Sequence, residues 1–188
     1  MTKWIDFIAS HRLRSFLISF LALIFTGLLM RPSSSCLITP NTPIAIVDLE
    51  LAFNQRRAES VKEIWETSLC ENSLSLAENG VGAAVMNIIL DFLFIAGYTG
   101  FFLVLIVLTA RKNIQTISGL TMGLCVGALL IGVLDVAENI FMLIFLKVFP
   151  VTSYLFAIPA SVKFILILSL IFGVVIRIAV RTIASIKG

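Results

Sequence analysis

The sequence predicts an all-α protein, a transmembrane four-helix bundle, on two observations of composition and one of pattern. Apolar residues make up 59% of the 188 positions and charged residues only 13%, with a mean hydropathy of +1.07, values outside the range of soluble globular chains. Four apolar runs, at 14–30, 83–110, 114–146 and 152–176, are close to or longer than the ~20 residues a helix needs to cross a hydrocarbon core about 30 Å thick. None of them alternates as a barrel strand does, so each satisfies its backbone in lipid only as a helix. The whole of 1–188 reads as a single membrane domain, with one long segment, 31–82, outside the bilayer.

Orientation follows from the basic residues flanking the spans. Lys3, Arg12 and Arg14 precede the first span, Arg111 and Lys112 join the second to the third, and Arg177, Arg181 and Lys187 follow the fourth. These three sets place both termini in the cytoplasm. Segment 31–82 sets Arg31, Arg56, Arg57 and Lys62 against Asp48, Glu50, Glu59, Glu63, Glu66, Glu71 and Glu78, and its acidic balance makes it extracytoplasmic. The net charge of +3 is then the basic rim of a membrane protein, and no nucleic-acid partner is implied. A cleavable signal peptide competes for the first span, because Ser33, Ser34 and Ser35 follow a basic start and an apolar run. Arg31 and Pro32 interrupt the cleavage region and no Ala-x-Ala site is present, so the segment is read as a retained span. Cys36 is not read as a lipid-attachment site, since Ser33 stands where an apolar residue is needed.

Within the outer segment, "RPSSSCLITPNTP" (31–43) holds three prolines and a cluster of turn formers, which predicts an extended exit from the membrane without a helix. "IAIVDLELAF" (44–53) reads as a short strand or an extended strap across the bundle; with no second strand nearby, the strap is preferred. From Asn54, a reasonable N-cap, the period changes to helical. Val61, Ile64, Trp65 and Leu69 share one face of an amphipathic helix at about 55–69. That face is expected to cover the mouth of the bundle; the alternative is a lid or an interfacial helix with Trp65 at headgroup depth. Cys36 and Cys70 share this compartment and either form a disulfide or remain free thiols. Cys125 falls inside the third span as a small hydrophobe.

The sharpest signal is a set of polar residues inside the apolar runs. The second span carries Asn87 and Asp91, four apart on one helix face; the third carries Asp135, Glu138 and Asn139 at i, i+3 and i+4; the fourth carries Lys163. At 1.5 Å per residue from the outer ends, Asp91 lies at about 10 Å, Glu138 at about 13 Å, and Asp135 and Lys163 at about 17 Å. Charges at such depth cost several kcal/mol and normally face partners inside the bundle. If Lys163 pairs with one carboxyl, the rest of the layer is still in surplus. At least one carboxyl is then expected to be protonated, or to hold a further cation or hydrogen-bond donor. The layer reads as interhelical polar glue, as a site for a ligand, ion or proton, or as a catalytic pair.

Gly119, Gly123 and Gly127 form two overlapping Gly-x-x-x-G units at the start of the third span, for which an internal span is the expected partner. Pro159 is expected to kink or start the fourth helix. The one histidine, His11, precedes the first span, so no histidine-based metal or haem site is implied. No phosphate-binding glycine loop, nucleophile elbow or His-Glu-x-x-His helix occurs, and no cofactor or metal is read from the sequence.

"LELAF" (49–53), Trp65, "LDFLFI" with Tyr98, and "LDVAEN" (134–139) together resemble a group of small bacterial four-span membrane proteins that join an outer Leu-Glu-Leu-Ala-like stretch to an Asp-x-x-Glu-Asn motif. The resemblance implies four spans and a bacterial inner membrane and supplies no activity. The expected function is a non-enzymatic membrane protein whose intramembrane polar pocket binds a lipid-like or small ligand or an ion. The alternatives are an accessory subunit of a larger membrane complex, or a homo-oligomer, and a membrane enzyme using paired carboxylates. The lipid bilayer is the one partner common to all.

Overall fold

The computed structural model describes residues 7–8, 10–70, 77–110, 119–147 and 151–186. Its helices are α1 (Arg12–Ser35), α2 (Val47–Glu50), α3 (Gln55–Thr67), α4 (Gly80–Leu108), α5 (Gly119–Lys147) and α6 (Tyr154–Ile186). Four of these, α1, α4, α5 and α6, are long and apolar enough to cross a membrane, making a multi-pass membrane protein of helical-bundle type. They coincide with the four apolar runs, with ends that differ by a few residues and a longer extension of α6 to Ile186. Residues 111–118, which hold Arg111, Lys112 and the first part of the expected third span, lie outside the described residues, as do Lys3 and Lys187.

The close contacts run between helices adjacent in the order of the spans: α1 packs on α4, α4 on α5, and α5 on α6. Alternation in direction puts the Ser35 end of α1, the Gly80 end of α4, the Lys147 end of α5 and the Tyr154 end of α6 on one side, where segment 36–70 forms a cap. At the cap side the core joins both layers. Leu37, Leu49, Ala58, Val61 and Trp65 from the cap pack with Ala84, Ile88, Met142 and Phe156 from the spans. A second core lies farther down, from Ile95, Ile106, Ala128, Ile131, Leu170 and Val174. The faces turned outward carry Leu21, Phe25, Leu129, Ile165 and Phe172, as surfaces solvated by lipid require.

Three expectations for the cap are corrected. Segment 31–35 is helical: α1 runs through Pro32 to Ser35. Side chains serve the carbonyls of this last turn, with Ser33 Oγ donating to Met30 O at 2.9 Å and Ser35 Oγ to Pro32 O at 2.8 Å, which compensates for hydrogen bonds lost at the helix end. "IAIVDLELAF" is neither strand nor fully extended. A turn through Ala45, at φ 54°, leads into the single helical turn Val47–Glu50, held by Ile44 N donating to Asp48 Oδ2 at 2.9 Å. Leu69 does not share the buried face of α3; it lies beyond the helix and is 79% exposed, while Ala58 takes its place.

Asn54 caps α3 by accepting from Arg56 N at 2.9 Å. Trp65 is fully buried, its Nε1 donating to Leu37 O at 3.1 Å and to Thr42 Oγ1 at 3.3 Å. It is a core residue of the cap and does not sit at a membrane surface. The helix thus covers the mouth of the bundle. Gln55 fastens it to the start of α6, accepting from Ser153 N at 2.9 Å. Arg57 fastens it to the α2 turn through Asn41 O (2.9 Å) and Asp48 Oδ1 (3.2 Å). Cys36 and Cys70 are joined in a disulfide with Cα atoms 5.0 Å apart, so the cap is a closed loop. Cys125 keeps a free, half-buried thiol.

Gly119, Gly123 and Gly127 do not meet an internal span: among the described residues no atom lies within 4 Å of a Cβ built at any of them. The close helix approach is made elsewhere. A Cβ at Gly97 would lie 2.8 Å from Thr26 Oγ1 and 3.5 Å from Leu23 Cα of α1. Pro159 sits inside α6, which starts five residues earlier at Tyr154, so it does not begin that helix.

Candidate functional site

Lys163 is the centre of the polar layer. It is 5% exposed, and its Nζ lies 2.8 Å from Asp135 Oδ1, 2.8 Å from Glu138 Oε2 and 3.6 Å from Glu50 Oε2. Asp135 and Glu138 project toward it because they are three apart on α5, hence on one face. Asp135 is held from its other side by Tyr98, whose hydroxyl donates to Oδ2 at 2.7 Å. Glu138 is fully buried. Its contact with Lys163 is an ion pair by distance but falls short of hydrogen-bond geometry, and its Oε1 has no hydrogen-bond partner.

Asp91 and Asn139 form the adjoining pair, with Asn139 Nδ2 donating to Asp91 Oδ2 at 2.7 Å. Asp91, Asp135, Glu138, Asn139 and Lys163 therefore gather between α4, α5 and α6. Asn87 does not join them. Its side chain turns to α1, where Nδ2 donates to Ser34 Oγ at 2.7 Å, Ser33 Oγ at 3.0 Å and Met30 O at 3.4 Å. Four residues on one helix cover about 40° of arc, enough for Asn87 to reach one neighbouring helix and Asp91 the other.

Two members were not read from the sequence as part of the layer. Tyr98 is seven residues after Asp91, two helical turns along the same face, and that spacing was a usable signal. Glu50 comes from the cap, as the last residue of the α2 turn, and is 8% exposed. Its carboxyl shares the Lys163 ammonium with Glu138, at 3.6 Å and 2.8 Å from Nζ respectively. Burial pushes the Glu50 carboxyl above the ordinary glutamate range; Lys163 opposes the rise and Asp135 adds to it. A glutamate flanked by Leu49 and Leu51 hints at burial, but nothing in its spacing indicates a contact 113 positions away, at Lys163.

The arrangement sets three carboxyls around one ammonium, with a fourth, Asp91, beside them. No group of three or more His, Cys, Asp or Glu among the described residues is arranged to hold a metal ion. On the side away from the cap, Ile95, Ile106, Ala128, Ile131, Leu170 and Val174 form an apolar layer. The cluster is thus closed toward one face of the bundle and reaches the cap through Glu50. No family model, no curated protein and no solved structure matches this chain.

Proposed function

We propose that this is a non-enzymatic integral membrane protein whose buried cluster binds a small cation, and that the cation is the proton. The observation that carries this reading is the unequal charge around Lys163: Asp135, Glu138 and Glu50 share one ammonium, and Glu138 Oε1 has no partner. Ionised carboxylates in a low-dielectric setting are stabilised only by an opposite charge or by full hydrogen bonding. A proton neutralises one carboxyl and supplies the missing donor at the same time. The apolar layer beneath the cluster favours one-sided binding over conduction across the bundle.

With the basic residues of the sequence flanking the ends away from the cap, the cap is extracytoplasmic and both termini are cytoplasmic; the resemblance drawn from the sequence supports a bacterial inner membrane. The site then reports the conditions outside the cell. Labelling of Ser60→Cys by an impermeant reagent on intact cells tests this orientation; protection there together with labelling at position 112 reverses it.

Infrared spectroscopy of the protein in lipid tests the proton. A protonated-carboxyl band that shifts in heavy water is expected at neutral pH and should be lost or displaced in Glu138→Gln. A spectrum without that band means every carboxyl is ionised and the cluster is interhelical glue alone. A second reading, a subunit of a larger assembly, draws on the uncovered glycines of α5. Copurification of a stoichiometric membrane partner in mild detergent supports it, and a monodisperse single chain rejects it.

A further inference from the structure

We propose that Glu50 and Glu138 hold one proton between them, and that this shared proton latches the cap onto the spans. The inference rests on the proton-binding reading and assigns the proton to two oxygens and a mechanical consequence. Glu50 belongs to the α2 turn of the cap and Glu138 to α5, so a bond between their carboxyls is a bond between the two layers. Their carboxyls meet on one ammonium, Lys163 Nζ lying 2.8 Å from Glu138 Oε2 and 3.6 Å from Glu50 Oε2, yet two ionised carboxylates have only acceptors and cannot bond each other. Glu138 is fully buried and its Oε1 has no partner. That orphaned acceptor is what an O–H from Glu50 would satisfy.

The other groups around the pair do not supply this donor. Lys163 on α6 is already 2.8 Å from Asp135 and from Glu138 Oε2, and its distance to Glu50 is 3.6 Å. Asp135 on α5 adds negative charge and takes the Tyr98 hydroxyl from α4. Asp91 on α4 adds more and takes the Asn139 amide. The proton comes from water on the cap side and forms an O–H bond on Glu50. It is donated to Glu138 Oε1 and returns to the same water on release; no other bond forms or breaks.

When the proton leaves, two carboxylates are left on the same ammonium, with one positive charge for three negative ones, and the α2 turn is repelled from α5. The Cys36–Cys70 disulfide keeps the loop close enough to return. The sign follows from burial: docking raises the affinity of Glu50 for a proton, so the docked cap holds more protons than the undocked one. Docking therefore weakens as pH rises from the ordinary glutamate range toward the raised value of Glu50.

Trp65, buried in the cap core, reports the latch when Trp4→Phe removes the other indole. The full chain in phosphatidylcholine nanodiscs is quenched with acrylamide, a neutral probe, at about pH 5, near the ordinary glutamate range, and at about pH 9, well above it. Quenching of Trp65 is expected to rise severalfold at the higher pH. Glu50→Gln should stay at the low value at both, because its amide donates to Glu138 without a proton. Equal quenching of the wild-type side chains at both pH values overturns the latch, and so does an unchanged pH response in Glu50→Gln. Should Glu50→Gln lose its helix content, Glu138→Gln decides in the same way. A protonated-carboxyl band in the infrared spectrum with a pH-insensitive cap rejects the latch and leaves the proton site standing; absence of the band rejects both.

Discussion

The two halves of the bundle are held together by different forces. Near the cap, α4, α5 and α6 meet through Asp91, Asn139, Asp135, Glu138 and Lys163, and a disulfide-closed loop sits over them. In the other half the contacts are mostly apolar: Ile106, Ala128, Ile131, Leu170 and Val174 interlock, with Arg177 Nη2 donating to Thr121 Oγ1 at 2.7 Å. Lipid supplies little hydrophobic drive between helices. An apolar half can therefore be held by packing, whereas a charged half must be held by complete pairing. The lesson is that the cap-side half is where a one-atom change has a large effect.

Lys163→Met is expected to have the largest effect, because it leaves Asp135, Glu138 and Glu50 together without a cation. Breaking a buried pair from one side costs about 3–5 kcal/mol, read as a large fall in thermal unfolding temperature in lipid or mild detergent. Val162→Ala, on the exposed side of the same helix, serves as the control. Equal shifts for the two would mean that the cluster contributes no more than lipid contact does.

Opening the cap should come next. Cys36 and Cys70 are 34 positions apart, and releasing a loop of this length costs about 4 kcal/mol in the chain-entropy model. The loss should fall on the cap: proteolysis in segment 36–70 should accelerate in Cys36→Ser with Cys70→Ser, while the spans remain folded. Uniform destabilisation of the spans would erase the distinction between the two regions.

The smallest effects separate two kinds of glycine. Gly97→Ala brings a methyl against Thr26 and Leu23 of α1, and Thr26 Oγ1 is already committed to Ala22 O at 2.9 Å. A cost of about 1–3 kcal/mol is expected for such overpacking. Gly123→Ala meets nothing within 4 Å among the described residues and should change the stability of the isolated chain by less than about 0.5 kcal/mol. A larger loss at Gly123 would reveal a partner helix on that face.

Much of the fold was legible in the chain because lipid imposes a length and an apolar content on every span. The four runs, the N-cap at Asn54 and the amphipathic face through Val61 and Trp65 need only local pattern to be read. The depth argument likewise brought Asp91, Asp135, Glu138 and Lys163 into one layer, since helical rise converts position into depth. Depth carries no information about azimuth. Asn87, grouped with Asp91 by spacing, turned to α1, and Gly119, Gly123 and Gly127 met no neighbouring helix among the described residues.

By itself the sequence determined that four helices cross a membrane and that charges from three of them lie at similar depth. Only the tertiary structure decided which of those charges touch, that Cys36 reaches Cys70, and that Glu50 descends from the cap to complete the cluster. The reason is that a helix imposes its own rise and period on nearby residues. The approach of α2 to α5 and α6 is instead set by how a closed loop packs against Phe156, Met142 and Trp65, a many-body fit with no periodic trace in the order of the residues.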